Sequence, residues 1–273
     1  RHVVQTALER NRKKYDLQSK QLKGTEKRDK YKVYGELINT YGYNLEPGSK
    51  ELTALNYYTN EEITIPLDPT QTPGENAQRY FAKYNKQKRT FEALTELIQE
   101  TADDIQYLES ISNALDIALS EADLAQIKEE LMQSGYIRRK HTKKKVKLTS
   151  KPMHYISSDG YDMYVGKNNL QNEELTFSFA NGNDWWFHAK GAPGSHVIVK
   201  SGGDELPDRT FEEAGRLAAY YSKNRGADKV EIDYIQKKHV KKPNGAKPGF
   251  VVYYTNYSLV IDSDISNIKN VQD

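Results

Sequence analysis

The sequence predicts an α+β protein in two parts: a long antiparallel coiled-coil hairpin with a small β tip, followed by a compact α+β domain. Three observations predict it. Between Tyr80 and Leu119, apolar or aromatic residues recur at alternating steps of four and three. The 273-residue chain is only 37% hydrophobic, with a mean hydropathy of −0.85, which fits thin solvated helices better than a single compact globe. Beyond residue 150, short β-branched and aromatic runs alternate with turn signals around one amphipathic helix.

The long seam consists of Tyr80, Tyr84, Phe91, Leu94, Ile98, Ile105, Leu108, Leu115 and Leu119, with Gln87, Thr101 and Ser112 as polar interruptions. A period near 3.5 residues sustained this far requires a partner helix. The expected partner is the N-terminal segment, where Val4, Leu8, Tyr15 and Leu22 repeat more weakly before a break at Tyr41-Gly42-Tyr43. Each helix would run roughly 50 to 70 Å at about 1.5 Å per residue. Between them, four prolines and the runs 52–58 and 63–67 read as a hairpin turning at 59–62, either a contact tip or a self-closing turn. Ser120 and Asp123 form a capping-box-like start to a short helix carrying Leu124, Ile127 and Leu131, with Gly135 as its stop. The arm therefore takes 1–135, with its tip at about 44–73, and 136–150 is a basic linker. The α+β domain takes 151–273. Its expected strands are 153–157, 161–165, an aromatic hairpin within 184–199, 229–234, 250–255 and 258–261. Its helix starts at Thr210, with Glu213 completing a capping box.

Net charge is only +2, but the basic residues are clumped. Arg138, Arg139, Lys140, Lys143, Lys144 and Lys145 belong to a run, 138–147, that holds seven Lys/Arg and no acid. Lys237, Lys238, Lys241, Lys242 and Lys247 form a second cluster in a Pro/Gly-rich loop. Lysines that neutralise phosphates release condensed counterions, so such clusters give salt-sensitive affinity for RNA or DNA without reading sequence. The alternative is a solvated linker and a solvated loop.

The run DWWFHAKGAPGSHVIV, 184–199, sets two tryptophans and two histidines around a Gly-Ala-Pro-Gly-Ser turn. On a strand, Trp185 and Trp186 point to opposite faces, so one is core and the other is free to stack on a base or pack on the arm. His188 and His196 flank the turn. Without a third ligand or a positioned carboxylate they read as structural or phosphate-facing, not as a metal or acid–base pair. Ser195 lacks the G-x-S-x-G context of a nucleophile, GAKPGF lacks the P-loop pattern, and zero cysteines exclude thiolate catalysis and disulfides. No enzymatic activity, cofactor or metal is expected. No apolar stretch approaches the roughly 20 residues that span a bilayer, and no signal peptide opens the chain, so membrane insertion is not expected. The absence of cysteine fits a reducing cytosol. Arg1 begins inside a helical pattern, as in part of a longer protein.

The stretches GKNNLQNEELTF (166–177), DWWFHAKGAPGSHVIV, EEAGRLAAYYSKNR (212–225) and VKKPNGAKPG (240–249) resemble, in order and spacing, the NFACT-R domain. With the preceding helices, the chain resembles the C-terminal half of a bacterial NFACT-family protein, a group often labelled fibronectin/fibrinogen-binding. The chain departs from the family pattern at Ile235 and at Tyr257-Ser258. The resemblance implies ribosome-associated quality control in the cytoplasm: binding the large ribosomal subunit and recruiting tRNA so that a C-terminal alanine tail is added without a template. It assigns the arm to ribosome contact and makes Asp184, Trp186, His188, Lys190, Gly194, Ser195 and His196 the candidate RNA surface. The competing expectation is an adhesin exposed at the cell surface and binding fibronectin or fibrinogen.

Overall fold

The computed structural model describes residues 1–138 and 149–271. The chain divides into two compact units, one of Arg1–Glu9 with Ile105–Asp273 and one of Arg10–Asp104. Helices α1 (His2–Gly24) and α3 (Pro73–Ile117) contribute to both.

In the unit Arg10–Asp104, α1 stops at Gly24 and α2 spans Arg28–Tyr41. The expected unbroken helix up to Tyr41 is not made. Gly24 and Thr25 combine two poor helix formers, and Thr25 Oγ1 donates to the Leu22 carbonyl at 2.6 Å, closing a local turn instead. The buried positions of α1 also differ from the expected apolar repeat. Tyr15 is exposed, whereas Asn11, Gln18 and Thr25 are buried at seven-residue spacing. Antiparallel packing of α2 on the start of α3 is fixed by rings: Tyr31 stacks 5.9 Å from Tyr80, and the Arg28 guanidinium lies 4.0 Å over Phe91. Gly35 admits the Phe81 ring, which a Cβ there would meet at 2.7 Å. Thr72 and Glu75 form a reciprocal cap at the start of α3, with Pro73 in the first turn. Strands β1 (Glu51–Asn56) and β2 (Glu61–Pro66) pair antiparallel, so alternation turns Leu52, Ala54 and Ile65 onto Leu37, Ile38, Ala77 and Tyr80. Along α3 here, Tyr80, Leu94 and Thr101 are buried, and Tyr84, Phe91 and Ile98 half-buried.

In the other unit, the start of α1, the end of α3 and α4 (Glu121–Gln133) share a core of Val4, Ala7, Leu8, Tyr107, Leu108, Ile111, Ala114, Ile127 and Leu131. Ser120 and Asp123 make the full capping box of α4. Leu119, the last residue of the expected seam, lies beyond α3 and is exposed. Seven strands follow: β3 (Met153–Ile156), β4 (Asp162–Val165), β5 (Trp185–Ala189), β6 (Val197–Val199), β7 (Val230–Gln236), β8 (Tyr257–Ile261) and β9 (Lys269–Asn270). They form one sheet in the order β8-β7-β5-β6-β4-β3-β9, with every pairing antiparallel. Helix α5 (Asn169–Glu174) runs into a π turn, Leu175–Phe179, and α6 spans Asp208–Tyr220.

Period-two alternation loads both faces of this sheet. Phe187, Ala189, Val197, Val199 and Ile232 pack with Ala214, Leu217 and Ala218 of α6, while Trp186, Ile198 and Ile235 are covered from the other side by Leu175, Ala180 and Val240. Two local expectations fail. The α6 N-cap is Pro207 with no side-chain cap, because Thr210 bonds Ser157 and Asp159, and Glu213 accepts from the Ser158 backbone and hydroxyl. Residues 250–255 form no strand and contribute only the Lys241↔Val252 bridge. Gly249 (φ 81) and Thr255 (φ 56) bend the chain at both ends of that run.

Candidate functional site

A cleft of about 290 Å³ opens where the last turns of α3 meet the α5 side of the sheet. Gln106, Glu109 and Ser110 of α3 form one wall. Trp186 and His188 of β5, with His196 beside them, form the aromatic floor. The turn 191–194 and residues 249–251 with Tyr253 close the remaining sides.

Ring geometry sets the floor. Trp186 stacks on His188 at 5.7 Å and 9°, stands edge-on to His196 at 5.2 Å, and meets Tyr253 at 4.9 Å. The two imidazoles are perpendicular, 5.6 Å apart. Thr176 Oγ1 lies 2.8 Å from His196 Nδ1, and the His196 amide donates to Asn172 Oδ1 at 3.1 Å. Gly166 permits that Asn172 placement, since a Cβ would sit 2.0 Å from Oδ1. Burial pushes the His188 imidazole down, and it pushes His196 well below its ordinary value, helped by the neighbouring His188. Both rings are therefore neutral near pH 7 and are not phosphate-facing cations. Among the described residues, no group of three or more His, Cys, Asp or Glu is placed to hold a metal ion.

A buried polar network ties the α3 wall to the sheet. Asn169 Nδ2 donates to Ser110 Oγ at 2.8 Å and to Glu130 Oε1 at 3.0 Å, and the Tyr107 hydroxyl donates to the same Oε1 at 3.0 Å. Burial pushes the Glu130 carboxyl up to about 7, and these two hydrogen bonds oppose the shift. Asp123 joins α4 to the domain through Ser150 (2.6 Å) and Lys167 (3.1 Å). Asn113 Nδ2 reaches the Tyr221 carbonyl at 3.2 Å.

The residues singled out from sequence lie in different environments. His188, Trp186, Gly194 and His196 meet in the cleft, but Trp186 is only 1% exposed and is no free stacking platform on an open surface. The other indole, Trp185, is half-buried against Phe211, Tyr234 and Tyr257. Asp184 and Ser195 are interior and structural. Asp184 accepts from Asn181 N and Ser201 N and pairs with Lys200 at 2.7 Å, while Ser195 N donates to the Tyr221 carbonyl. Lys190 pairs with Glu231 at 2.6 Å and Lys242 with Glu173 at 2.5 Å. Lys237 lies 5.9 Å over Phe177, and Lys247 lies 4.9 Å over Tyr107. Lys238, Lys241 and Arg138 are exposed. Arg139, Lys140, Lys143, Lys144 and Lys145 lie outside the described residues.

Residues 237–251 thus carry the lysines and run directly into one wall of the cleft. Residues 151–254 match the family described as NFACT protein RNA binding domain, and residues 1–150 match that described as NFACT N-terminal and middle domains. The chain belongs to the NFACT family. Among curated relatives, the Rqc2 homolog RqcH of Streptococcus pneumoniae serotype 2 (strain D39) is 42% identical over 270 residues, 98% of this NFACT chain and 48% of its own length. RqcH of Bacillus subtilis (strain 168) is 40% identical over 266 residues, 95% of this chain and 46% of its own length. The chain spans about half the length of these curated relatives. The C-terminal structure of the fibronectin/fibrinogen-binding protein from Streptococcus suis superposes with a TM-score of 0.78 at 37% identity, covering 98% of this chain and 95% of that one.

Sequence reasoning missed the α3 wall, Asn169, Asn172 and Tyr253. The two asparagines sit within a stretch that carries the NFACT resemblance. Nothing local marks Gln106 or Ser110.

Proposed function

We propose that this chain is the RNA- and ribosome-binding portion of a ribosome quality-control factor, one that recruits tRNA to obstructed large subunits for C-terminal alanine tailing. The observation that carries this reading is the match of residues 151–254 to an RNA-binding family, on a fold whose 237–251 segment carries the exposed Lys238 and Lys241 and ends in one wall of an aromatic cleft. The RqcH relatives supply the quality-control context. In this reading the domain contributes binding rather than catalysis, the paired helices contact the ribosome, and the place of action is the cytoplasm. No helix among the described residues is long and apolar enough to cross a membrane. Titrating the chain with tRNA and with large subunits across a salt series tests it. Affinity falling steeply with salt supports the reading, and no measurable binding at low salt overturns it.

A second reading is adhesion, favoured by the description of the Streptococcus suis protein. Capture on immobilised fibronectin in physiological salt that survives neutralisation of Lys238 and Lys241 would support it, because generic charge attraction would not survive.

A further inference from the structure

The cleft differs in chemistry from the lysine loop that leads to it. Glu109 is the one acidic residue among its described lining residues, and no described lysine or arginine lines it. Its two imidazoles are neutral, for the reasons given above. A phosphate entering would meet no lining cation and would face the Glu109 carboxylate, whereas Lys238 and Lys241 offer it exposed positive charge. The walls suit a flat, uncharged ring. The half-buried Tyr253, Phe250 and His188 present aromatic surface, Pro193 and Gly194 bring backbone close, and the volume of about 290 Å³ lies at the small end for ligand clefts.

The polar groups of the lining are largely committed or out of reach. Asn172 Oδ1 is occupied by the His196 amide, and Asn169 Nδ2 by Ser110 and Glu130. The Trp186 indole Nε1 is buried and has no acceptor among the described residues. An indole N–H only donates, and a buried donor left without an acceptor costs on the order of 1–3 kcal/mol. With no accessible surface, that N–H is out of reach of anything in the cleft, so the cleft can recognise a ring only by its shape and aromatic faces.

We infer that this cleft receives one unstacked nucleobase of single-stranded RNA, with the flanking phosphates carried by Lys238 and Lys241 of the adjoining loop. Only a splayed base can enter, because duplex base edges are tied up in pairing and stacking. The inference rests on the RNA-binding reading and specifies how that binding is divided: the loop supplies charge and the cleft supplies discrimination between a base and its absence.

The test compares a hexanucleotide RNA with a backbone-matched hexanucleotide lacking its bases, both titrated against the full chain over the same salt series. Stacking contributes roughly 1–3 kcal/mol per base, so the base-bearing RNA should bind at least about fivefold tighter at every salt, with equal salt slopes. Ala192→Trp, at the cleft wall, should abolish that preference by filling the slot. Equal affinities for the two RNAs on the native chain, with normal salt dependence, would overturn the cleft inference and leave the RNA-binding reading standing. A preference that persists undiminished in a folded Ala192→Trp chain would also overturn it, since the base would then stack elsewhere. Failure of both RNAs to bind would overturn the RNA-binding reading itself, and the inference with it. Because the first comparison uses the unaltered chain, the inference stays refutable even if Ala192→Trp does not fold.

Discussion

Glu130→Gln isolates the buried carboxyl that supports the cleft from behind. Glu130 is 1% exposed, and its Oε1 accepts from Tyr107 and Asn169, while its Oε2 is buried without a partner among the described residues. Burial pushes the carboxyl from its ordinary 4.5 up to about 7, with Glu173 adding to the shift. A carboxyl raised in the folded chain favours folding most when it is protonated. Its contribution is therefore full below about 4.5 and lost as pH rises through about 7, at a cost on the order of 3 kcal/mol. Glutamine keeps the Oε1 acceptor and cannot titrate. Urea unfolding of both chains at pH 5 and pH 8 measures the effect. The variant should gain about 2 to 3 kcal/mol on the native chain between those two pH values, because contributions from all other titrating groups cancel in the difference. A gap between the two chains that does not change with pH would refute the placement of Glu130.

Trp186→Ala removes the largest fully buried side chain of the sheet and should cost about 3–5 kcal/mol in denaturant unfolding; a cost below about 1 kcal/mol would contradict its interior position. Gly166→Ala places a Cβ 2.0 Å from Asn172 Oδ1 and 2.9 Å from the Asn172 amide nitrogen, so a loss of about 1–3 kcal/mol is expected by thermal melting. His188 and His196 have depressed imidazoles, so their contribution is present above the unfolded value near 6.5 and is lost as pH falls below it. In the Glu130→Gln background, stability should drop between pH 7.5 and 5.5, and His196→Asn should flatten that drop.

The sheet was legible because alternation is a strong code. Trp185 and Phe187 against Trp186 and Ile198 had to face opposite sides, and the paired runs 52–58 and 63–67 had to close on themselves. Ser120 and Asp123 were legible for a similar reason, since a capping box involves only neighbours in sequence. Where burial depends on distant partners, the sequence is silent. Asn11, Gln18 and Thr25 are polar residues on a charged helix, and only the packed structure shows that they, rather than Tyr15, are buried. Asn168, Asn169, Gln171 and Asn172 are all polar, yet they are interior because Ser110, Gln126, Glu130 and Ser150 supply hydrogen bonds to the first three and the His196 amide supplies one to Asn172. Which indole faces water depended on the 240–253 segment folding over Trp186, and the positive-φ bends at Gly249 and Thr255 kept residues 250–255 from becoming the strand their apolar residues suggested.

The salt slope of RNA binding tests the central claim most directly. If the 237–251 loop grips phosphates, the double variant Lys238→Gln/Lys241→Gln should bind single-stranded RNA more weakly, and its slope of log affinity against log salt should fall by roughly 0.7 for each lysine removed. An unchanged slope and affinity would place any RNA contact elsewhere on the chain and contradict the account.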